Sequence, residues 1–455
     1  MAFALACGRA RGASSLAIRS FSTQAARPSG RLHICGTGES YKLGTGDTRD
    51  IETPTALEGL DNIVHVSCGR YHTAALSAEG DVYAWGLESS GQLGLGSKRT
   101  KAPTPTKVDG LSGIGVSALS CGLYHTLALT EEGDVFSFGF GGTFLNGVGG
   151  LGHGDRTQLE APAKIDGFKA TGVSAGGYHS VAVDANGSAY SWGRGEWGRL
   201  GHEDSSDCYE PTRLESPELE GGVSTIFAGE VHTGALTPSG AVYTWGRNEN
   251  WQLGYEVTGL LNAGQSLDAQ QEPQIVELPV SADEMVVSKL SCGELGTAAL
   301  MSDGKTVYVW GMVRAEPHAD ALRPRCARAF EPELCRVPLA AGPLLRADRP
   351  AGHAQDRRPD CRRQRRRLPR APPAATALPH QLRPPDRATC GVVPQMALLT
   401  DSGRMYSFGT GPSLGLPRSA RQQWELIEVT AHSLEGKRVL DMCCGPYSTA
   451  MIVEA

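Results

Sequence analysis

The chain has 455 residues, 58 of them glycine, and a formal net charge of −6. No apolar run approaches the roughly 18 residues that a membrane-spanning helix needs, so the sequence excludes a helical membrane protein. Residues 1–31 hold five arginines and no acid, and residues 314–387 hold 17 arginines against 8 acids. The first segment therefore contributes five net positive charges and the second nine, so the rest of the chain carries a net charge of about −20. Such a surface disfavours contact with nucleic-acid phosphates.

Residues 1–31 are basic and rich in serine, and their apolar residues are scattered among small ones. This profile is typical of a mitochondrial transit peptide, because a secretory signal needs a continuous apolar centre. The segment 19–22 (RSFS) resembles sites cut by mitochondrial processing peptidase. A merely disordered terminus and a chloroplast transit peptide are the alternatives. We expect a protein of the mitochondrial matrix.

A short pattern then recurs, and residues 66–86 show it most clearly. Two segments rich in strand-forming residues flank the turn Glu79-Gly80, which is typical of a β-hairpin. The repeat glycines and histidines are predicted to serve the fold, as Gly69, His72, Gly86, Gly122, His125, Gly139, Gly176, His179, Gly193, Gly229, His232 and Gly246. The period is mostly 50–54 residues, which with four short strands per unit predicts the blades of a β-propeller.

The order of the half-patterns predicts how the ring closes. The chain opens with a lone second half, residues 33–36 (HICG), and ends with a lone first half, residues 444–450 (CGPYSTA). Joining these ends in one blade supplies its missing strands and removes exposed sheet edges. Six complete pairs and this shared one predict an all-β, seven-bladed propeller.

Residues 32–311 and 388–455, with their Cys-Gly, His-Thr, Trp-Gly and Gly-Gln-Leu-Gly elements, resemble the regulator of chromosome condensation repeat family. Behind a transit peptide, the pattern is most similar to the family's mitochondrial members. That resemblance implies a role in handling mitochondrial ribosomal RNA and in ribosome assembly. The founding member exchanges nucleotide on a small GTPase through an extra hairpin and acidic residues, which have no clean match in this sequence.

The repeat histidines invite a catalytic or metal-binding interpretation, since they would converge near the ring axis. However, the other blades carry Gly296, Gln395 and Ser448 at this position. A side chain that recurs with the fold usually serves the fold, so we expect hydrogen bonds to backbone at each inner turn. The sequence names no catalytic residue.

Cysteine also recurs at one position, where two blades carry alanine, which predicts a small buried group rather than a metal ligand. The set is Cys68, Cys121, Cys292, Cys390 and Cys444, with Ala175 and Ala228. Residues 147–152 (GVGGLG) match a dinucleotide-binding pattern, but they open no helix and align with the repeat loop 91–96. We expect neither a cofactor nor a metal.

Trp197 and Trp251 stand in loops where the second blade has Ser90 or Gly91. Aromatic residues that break a repeat are candidates for partner binding, although packing against a neighbouring blade explains them equally well. The loop from Glu256 to Gln271 is about ten residues longer than its counterparts. It is a candidate wedge for nucleotide exchange, with a plain loop insertion as the favoured interpretation.

The repeat disappears between residues 314 and 387, where 13 of the chain's 27 prolines lie and lysine is absent. A disordered insertion with an arginine-rich arm that binds RNA, a degenerate extra blade, and out-of-frame or intron translation all explain this composition. The composition favours out-of-frame or intron translation. The chain is thus divided into a transit peptide (1–31), propeller (32–313), anomalous stretch (314–387) and propeller (388–455).

The function predicted from the sequence is a non-enzymatic mitochondrial scaffold that binds protein partners in ribosome assembly or RNA processing. The alternative is a guanine-nucleotide exchange factor for a mitochondrial small or dynamin-like GTPase. RNA contact is expected only indirectly or through the arginine-rich stretch.

Overall fold

The computed structural model describes residues 28–96, 99–143, 147–257, 269–278, 286–303, 306–311, 335–338, 385–390, 395–400, 402–416 and 422–455. Residues 1–27 of the predicted transit peptide (1–31), most of 314–387 and the centre of the loop 256–271 lie outside these residues.

Thirty strands are described, and all their pairings are antiparallel. They are β1 (Arg31–Gly36), β2 (Ile51–Ala56), β3 (Ile63–Cys68), β4 (His72–Ser77), β5 (Val82–Leu87), β6 (Lys101–Lys107), β7 (Val116–Cys121), β8 (His125–Thr130), β9 (Asp134–Gly139), β10 (Gly142–Thr143), β11 (Gly147–Val148), β12 (Leu159–Lys169), β13 (Gly172–Ala175), β14 (His179–Val183), β15 (Ala189–Gly193), β16 (Cys208–Arg213), β17 (Thr225–Ala228), β18 (His232–Leu236), β19 (Val242–Arg247), β20 (Ala269–Ile275), β21 (Val287–Cys292), β22 (Gly296–Met301), β23 (Thr306–Gly311), β24 (Cys335–Pro338), β25 (Pro385–Cys390), β26 (Gln395–Thr400), β27 (Met405–Thr410), β28 (Gln422–Glu428), β29 (Val439–Cys444) and β30 (Ser448–Val453).

Short 3-10 helices occupy some of the connections. They are Glu39–Tyr41, Asp109–Leu111, Glu196–Gly198, Pro217–Leu219, Pro412–Leu414 and His432–Leu434.

These strands form seven four-stranded sheets and one two-stranded hairpin, β10–β11. Blades 1 to 6 are β3–β6, β7–β8–β9–β12, β13–β16, β17–β20, β21–β24 and β25–β28. Blade 7 has the order β2-β1-β30-β29, so it joins the two ends of the described chain. Strands β1 and β30 pair in continuous register from Arg31↔Val453 to Gly36↔Ser448. The predicted seven-bladed propeller and its closure are confirmed.

Burial changes from the inside to the outside of each blade. The second strand, such as His72–Ser77, is buried along its whole length because neighbouring blades cover both of its faces. The fourth strand is largely exposed, and in blades 1 to 4 and blade 7 it contains proline, for example Pro162 and Pro211. Proline donates no backbone hydrogen bond and therefore belongs on an edge strand, where it also hinders edge-to-edge aggregation.

The core lies between blades rather than within them. Each buried tryptophan or its equivalent packs against a glycine in the loop of the preceding blade. A Cβ at Gly44 would lie 2.8 Å from the Trp85 ring, and one at Gly152 would lie 2.8 Å from Trp192. The leucine before that glycine, such as Leu43, is also fully buried. The Trp-Gly and Leu-Gly elements of the repeat are thus two halves of one contact.

The glycine after each tryptophan ends the third strand in a left-handed conformation. Gly86 has a φ of +113°, and the pairing of β5 with β6 shifts register between Ala84 and Gly86. A β-bulge with positive φ favours glycine, because a Cβ would also meet the carbonyl oxygen of Tyr71. This geometry explains why the glycine recurs in every blade.

Of the predicted anomalous stretch, residues 335–338 form the outer strand of blade 5, and residues 385–387 open the inner strand of blade 6. Cys335 pairs with Val309 and Pro338 pairs with Thr306. The segment 331–333, which resembles the entry to an outer strand, lies outside the described residues just before this strand.

We predict that the closing strand is energetically essential. Ile452 on β30 is fully buried between blades, so Ile452→Ala should lower the free energy of unfolding by about 2–4 kcal/mol. Ile275 on the outer strand of blade 4 is 45% exposed, and Ile275→Ala should change it by no more than about 0.5 kcal/mol. Chemical denaturation followed by circular dichroism would measure both. Equal losses in the two variants would contradict a sealed blade 7.

Candidate binding face

The four repeat histidines link blades 1 to 5 in succession. Their Nε2 atoms lie 2.8–3.0 Å from a hydroxyl on the second strand of the following blade, in the pairs His72–Thr126, His125–Ser180, His179–Thr233 and His232–Thr297. All four rings are buried. The direct partner is therefore a neighbouring hydroxyl, and not the backbone group that the sequence suggested.

Each of these hydroxyls passes the hydrogen bond on to backbone. Thr126 Oγ1 donates to the carbonyl of Gln92 at 2.8 Å, and Ser180 Oγ donates to the carbonyl of Gly150 at 2.7 Å. Because the hydroxyl proton is used there, histidine Nε2 must donate to the hydroxyl oxygen. The carbonyl of Gly150 also accepts the Trp192 indole N–H at 2.9 Å. Histidine, hydroxyl, carbonyl and indole thus form one buried relay between blades.

The relay holds the histidines neutral. Burial lowers the pKa of His72 and His232 to about 3 and that of His125 to about 4. Within the part of the chain that the structure describes, the Nδ1 atoms of His72 and His232 have no hydrogen-bond partner. Each lies over the first repeat glycine, where a Cβ at Gly69 would come within 3.0 Å of the His72 ring. This close approach, together with the carbonyl of the next blade's glycine, explains the recurrence of the Gly69 position.

The loop glycines 147–152 belong to the same relay. Gly147 lies in the hairpin strand β11, and Gly150 supplies the carbonyl described above. The equivalent cysteine and alanine position is buried at Cys68, Cys121, Cys444, Ala175 and Ala228, while Cys292 is partly buried. Among the described residues, no three His, Cys, Asp or Glu side chains are placed to hold a metal ion. In the same part of the chain, no helix is long and apolar enough to cross a bilayer.

The turns after the first and third strands lie on one face of the ring. Four tyrosines follow the inner strands there, and we call this surface the tyrosine face: Tyr71, Tyr124, Tyr178 and Tyr447. The ring centroids of Tyr71 and Tyr124 are 5.3 Å apart, and those of Tyr124 and Tyr178 are 5.8 Å apart. These spacings are those of interacting aromatic pairs, so the tyrosines form an arc over blades 1 to 3.

Two cations lie at the end of this arc formed by blades 7 and 1. The Arg70 guanidinium lies 5.6 Å from the Tyr71 ring centre and 5.8 Å from that of Tyr447. Lys42 Nζ lies 5.0 Å from the Tyr447 ring, and burial lowers the pKa of Lys42 to about 8. These separations fall within the range of cation–π attraction.

Ion pairs cross the ring axis beneath the tyrosines. Arg70 of blade 1 reaches Glu230 of blade 4 at 3.5 Å and Glu294 of blade 5 at 3.3 Å. Burial, followed by repulsion from Glu294, raises the pKa of Glu230 to about 8. One guanidinium therefore faces two carboxyls that cannot both ionise easily. Sequence analysis missed this cluster, although all three residues directly follow the repeat glycine.

The candidate partner-binding residues lie in different surroundings. Trp197 stands between two guanidiniums, with the Arg247 carbon 4.4 Å and the Arg199 carbon 5.0 Å from its ring centre. Trp251 is 40% exposed, and among the described residues no aromatic ring or cation pairs with its ring. Both have φ near +60°, which is unusual for a bulky residue. Glu256 is exposed, and Gln271 lies in strand β20 against Gly198.

A depression opens beside Trp197 between blades 3 and 4. It holds about 230 Å³ and is lined by Tyr178, Arg194, Glu196, Trp197, Arg199, Glu230, Val231 and Arg247. We call it the Trp197 pocket. It adjoins the tyrosine face through Tyr178, whose ring lies 5.8 Å from the Arg194 guanidinium carbon.

The closed ring of seven four-stranded blades places the protein in the class of repeat-built β-propellers. Residues 11–321 match the model of the RCC1-like domain, and the chain belongs to that family. It is 34% identical over 285 residues to the ultraviolet-B receptor UVR8 of Arabidopsis thaliana, and 31% identical over 289 residues to the mitochondrial RCC1 domain-containing protein RUG3 of the same plant. Each match covers 62% of this chain, and the chain spans about 60% of the length of each relative.

Solved structures show the same fold at lower identity. Prp20p of Saccharomyces cerevisiae superimposes with a TM-score of 0.71 at 19% identity, covering 96% of this chain and 93% of that protein. Human WBSCR16 superimposes with a TM-score of 0.69 at 21% identity, covering 93% of this chain and all of that one.

We predict that the buried histidines make the ring sensitive to acid. They stay neutral when folded but take up protons near pH 6.5 when unfolded, so stability falls as the pH drops from about 6.5 towards 4. His232→Gln, which retains a donor for Thr297, should reduce the stability lost between pH 7.5 and pH 5 by about 2 kcal/mol. His432→Gln is the matched control, because the His432 side chain is 99% exposed.

Denaturant unfolding of the wild type and both variants at the two pH values gives this comparison. The contrast between variants matters, because the raised pKa of Glu230 acts in the opposite direction in all three proteins. If His232→Gln and His432→Gln lose the same stability on acidification, the buried relay is not the acid-sensitive element.

Proposed function

We propose that the chain is a non-enzymatic scaffold of the mitochondrial matrix that binds protein partners in ribosome assembly or RNA processing. The tyrosine face is the observation that carries this proposal. Tyrosine, tryptophan and arginine are the side chains most enriched among the energetically dominant residues of protein interfaces. The tyrosine face and the adjoining Trp197 pocket contain all three.

Two further features support the location and the kind of partner. Similarity to RUG3, a protein named as mitochondrial, supports a mitochondrial location, as does the basic, acid-free segment 1–31. The rest of the propeller sequence is strongly acidic, which favours proteins over nucleic acid as direct partners.

Affinity purification of the tagged full chain from mitochondria tests this proposal. Tyr447→Ala and Tyr209→Ala form a matched pair, because their side chains are 37% and 36% exposed and each lies beside an arginine. Tyr447 lies on the tyrosine face, whereas Tyr209 lies on the outer strand of blade 3. We expect Tyr447→Ala to reduce recovery of ribosomal or RNA-modifying proteins about tenfold or more, and Tyr209→Ala to retain it.

Nuclease treatment separates direct binding from RNA bridging, since partners of the face should persist after RNA is digested. The proposal is wrong if the wild type recovers no ribosomal or RNA-modifying proteins. The role of the face is wrong if both tyrosine variants recover them equally.

A guanine-nucleotide exchange factor for a mitochondrial GTPase is the second candidate. The observation in its favour is the position of the long loop, whose end at Gln271 packs against Gly198 beside the Trp197 pocket. Deleting residues 258–268 should then abolish any acceleration of nucleotide release from candidate GTPases. A wild-type chain that accelerates release from none of them dismisses this candidate.

A further inference from the structure

The Trp197 pocket contains an arginine with an unused donor. The Arg199 side chain is 1% exposed, yet its Nη1 atom has no hydrogen-bond partner among the described residues. Its Nε donates to the carbonyl of Glu196 at 2.8 Å, and its Nη2 lies 3.6 Å from the Glu196 carboxylate. A buried guanidinium N–H without an acceptor is costly. Arg199, which lines the pocket, thus keeps one donor that no described residue accepts.

The charges around this donor favour an anion. Three arginines line the pocket, Arg194, Arg199 and Arg247, against the two carboxyls of Glu196 and Glu230. Glu196 pairs with Arg194 at 2.6 Å, and Arg247 pairs with Glu249 outside the pocket. Burial raises the pKa of Glu230 to about 8, so this carboxyl ionises less readily than an exposed glutamate. The lining therefore carries a net positive charge.

Trp197 arranges two of these guanidiniums. Arg199 and Arg247 lie near its ring, at 5.0 and 4.4 Å from the centroid. Cation–π contacts with the ring restrict both guanidiniums and leave N–H groups available for an acceptor. Trp197 adopts this position with a φ of 61°, a left-handed conformation that is unfavourable for a bulky residue. The surrounding packing stabilises that strained residue where it restricts the two arginines.

We propose that the Trp197 pocket binds an aspartate or glutamate side chain from an acidic segment of a partner protein, through the arginines that line it, chiefly Arg199 and Arg247. The proposal rests on the protein-binding function proposed above and names the chemistry of the partner. A carboxylate suits the pocket because Glu196 is already held there by two arginines. A doubly charged phosphate would suffer more repulsion from Glu196, and the net positive charge is small.

Binding of a fluorescent octaglutamate peptide to the full chain, measured by anisotropy, tests the proposal. We expect Arg247→Met to weaken binding about tenfold and Arg247→Lys to weaken it less, because lysine retains the charge but loses the planar fork. Arg213→Met is the matched control, since Arg213 is an arginine on the outer strand that also pairs with a nearby glutamate, Glu215. This control should bind like the wild type. An octaglutamine peptide should not bind.

Four results would overturn the pocket. The first is that the folded wild type does not bind octaglutamate, and the second is that Arg247→Met and Arg213→Met lose affinity equally. The third is that octaglutamine binds as strongly as octaglutamate. The fourth is that inorganic phosphate displaces the peptide at a lower concentration than free glutamate does. Circular dichroism of each variant establishes that it is folded.

The same variants separate this proposal from the wider function. If mitochondrial partners are recovered equally by wild type and Arg247→Met, the pocket is wrong while the scaffold stands. If octaglutamate binds as expected but no mitochondrial partner is recovered, the pocket stands and the scaffold is wrong.

Discussion

The propeller depends on the buried relay between neighbouring blades. The carbonyl of a loop in one blade accepts a hydroxyl and an indole N–H from the next, as Gln252 does from Thr297 and Trp310. The histidine of the earlier blade donates to the same hydroxyl. A blade alone would leave these polar groups without partners and would expose its fully buried second strand. Hydrogen bonding and apolar packing therefore require the same neighbours, and the ring is stable only when it is closed.

Closure also creates the candidate binding face. The inner strands converge on the axis, so the residue after each repeat glycine faces its counterparts from distant blades. Arg70 meets Glu230 and Glu294, which lie 160 and 224 positions further along the chain. The tyrosine one position later contacts the tyrosines of neighbouring blades. Consecutive residues thus belong to different features: the residue after the repeat glycine belongs to the charged cluster, and the tyrosine that follows belongs to the aromatic arc.

The sequence predicted the ring because each blade repeats its own physical constraints. The half-patterns at 33–36 and 444–450 were sufficient to predict blade 7, since only their union completes four strands. Trp197 could be selected because it breaks the repeat. Its partner Arg247 could not be selected from the sequence, because Arg247 comes from the next blade and its approach depends on how two loops pack. The hydroxyl partners of the histidines were missed for the same reason: a repeat shows what recurs within a unit but not which atoms meet between units.

Charge gives the Trp197 pocket a selectivity that its few contacts alone would not. The acidic remainder of the propeller repels an acidic partner, and at physiological ionic strength salt screens this repulsion beyond about 8 Å. The contact with Arg199 is buried and is screened much less. Added salt should therefore remove an obstacle to approach while leaving the close contact largely intact. Reach and shape distinguish an acidic segment that fits the pocket from acidic surfaces in general. Only a side chain that enters between blades 3 and 4 pairs with a guanidinium and so offsets the repulsion from the acidic surface.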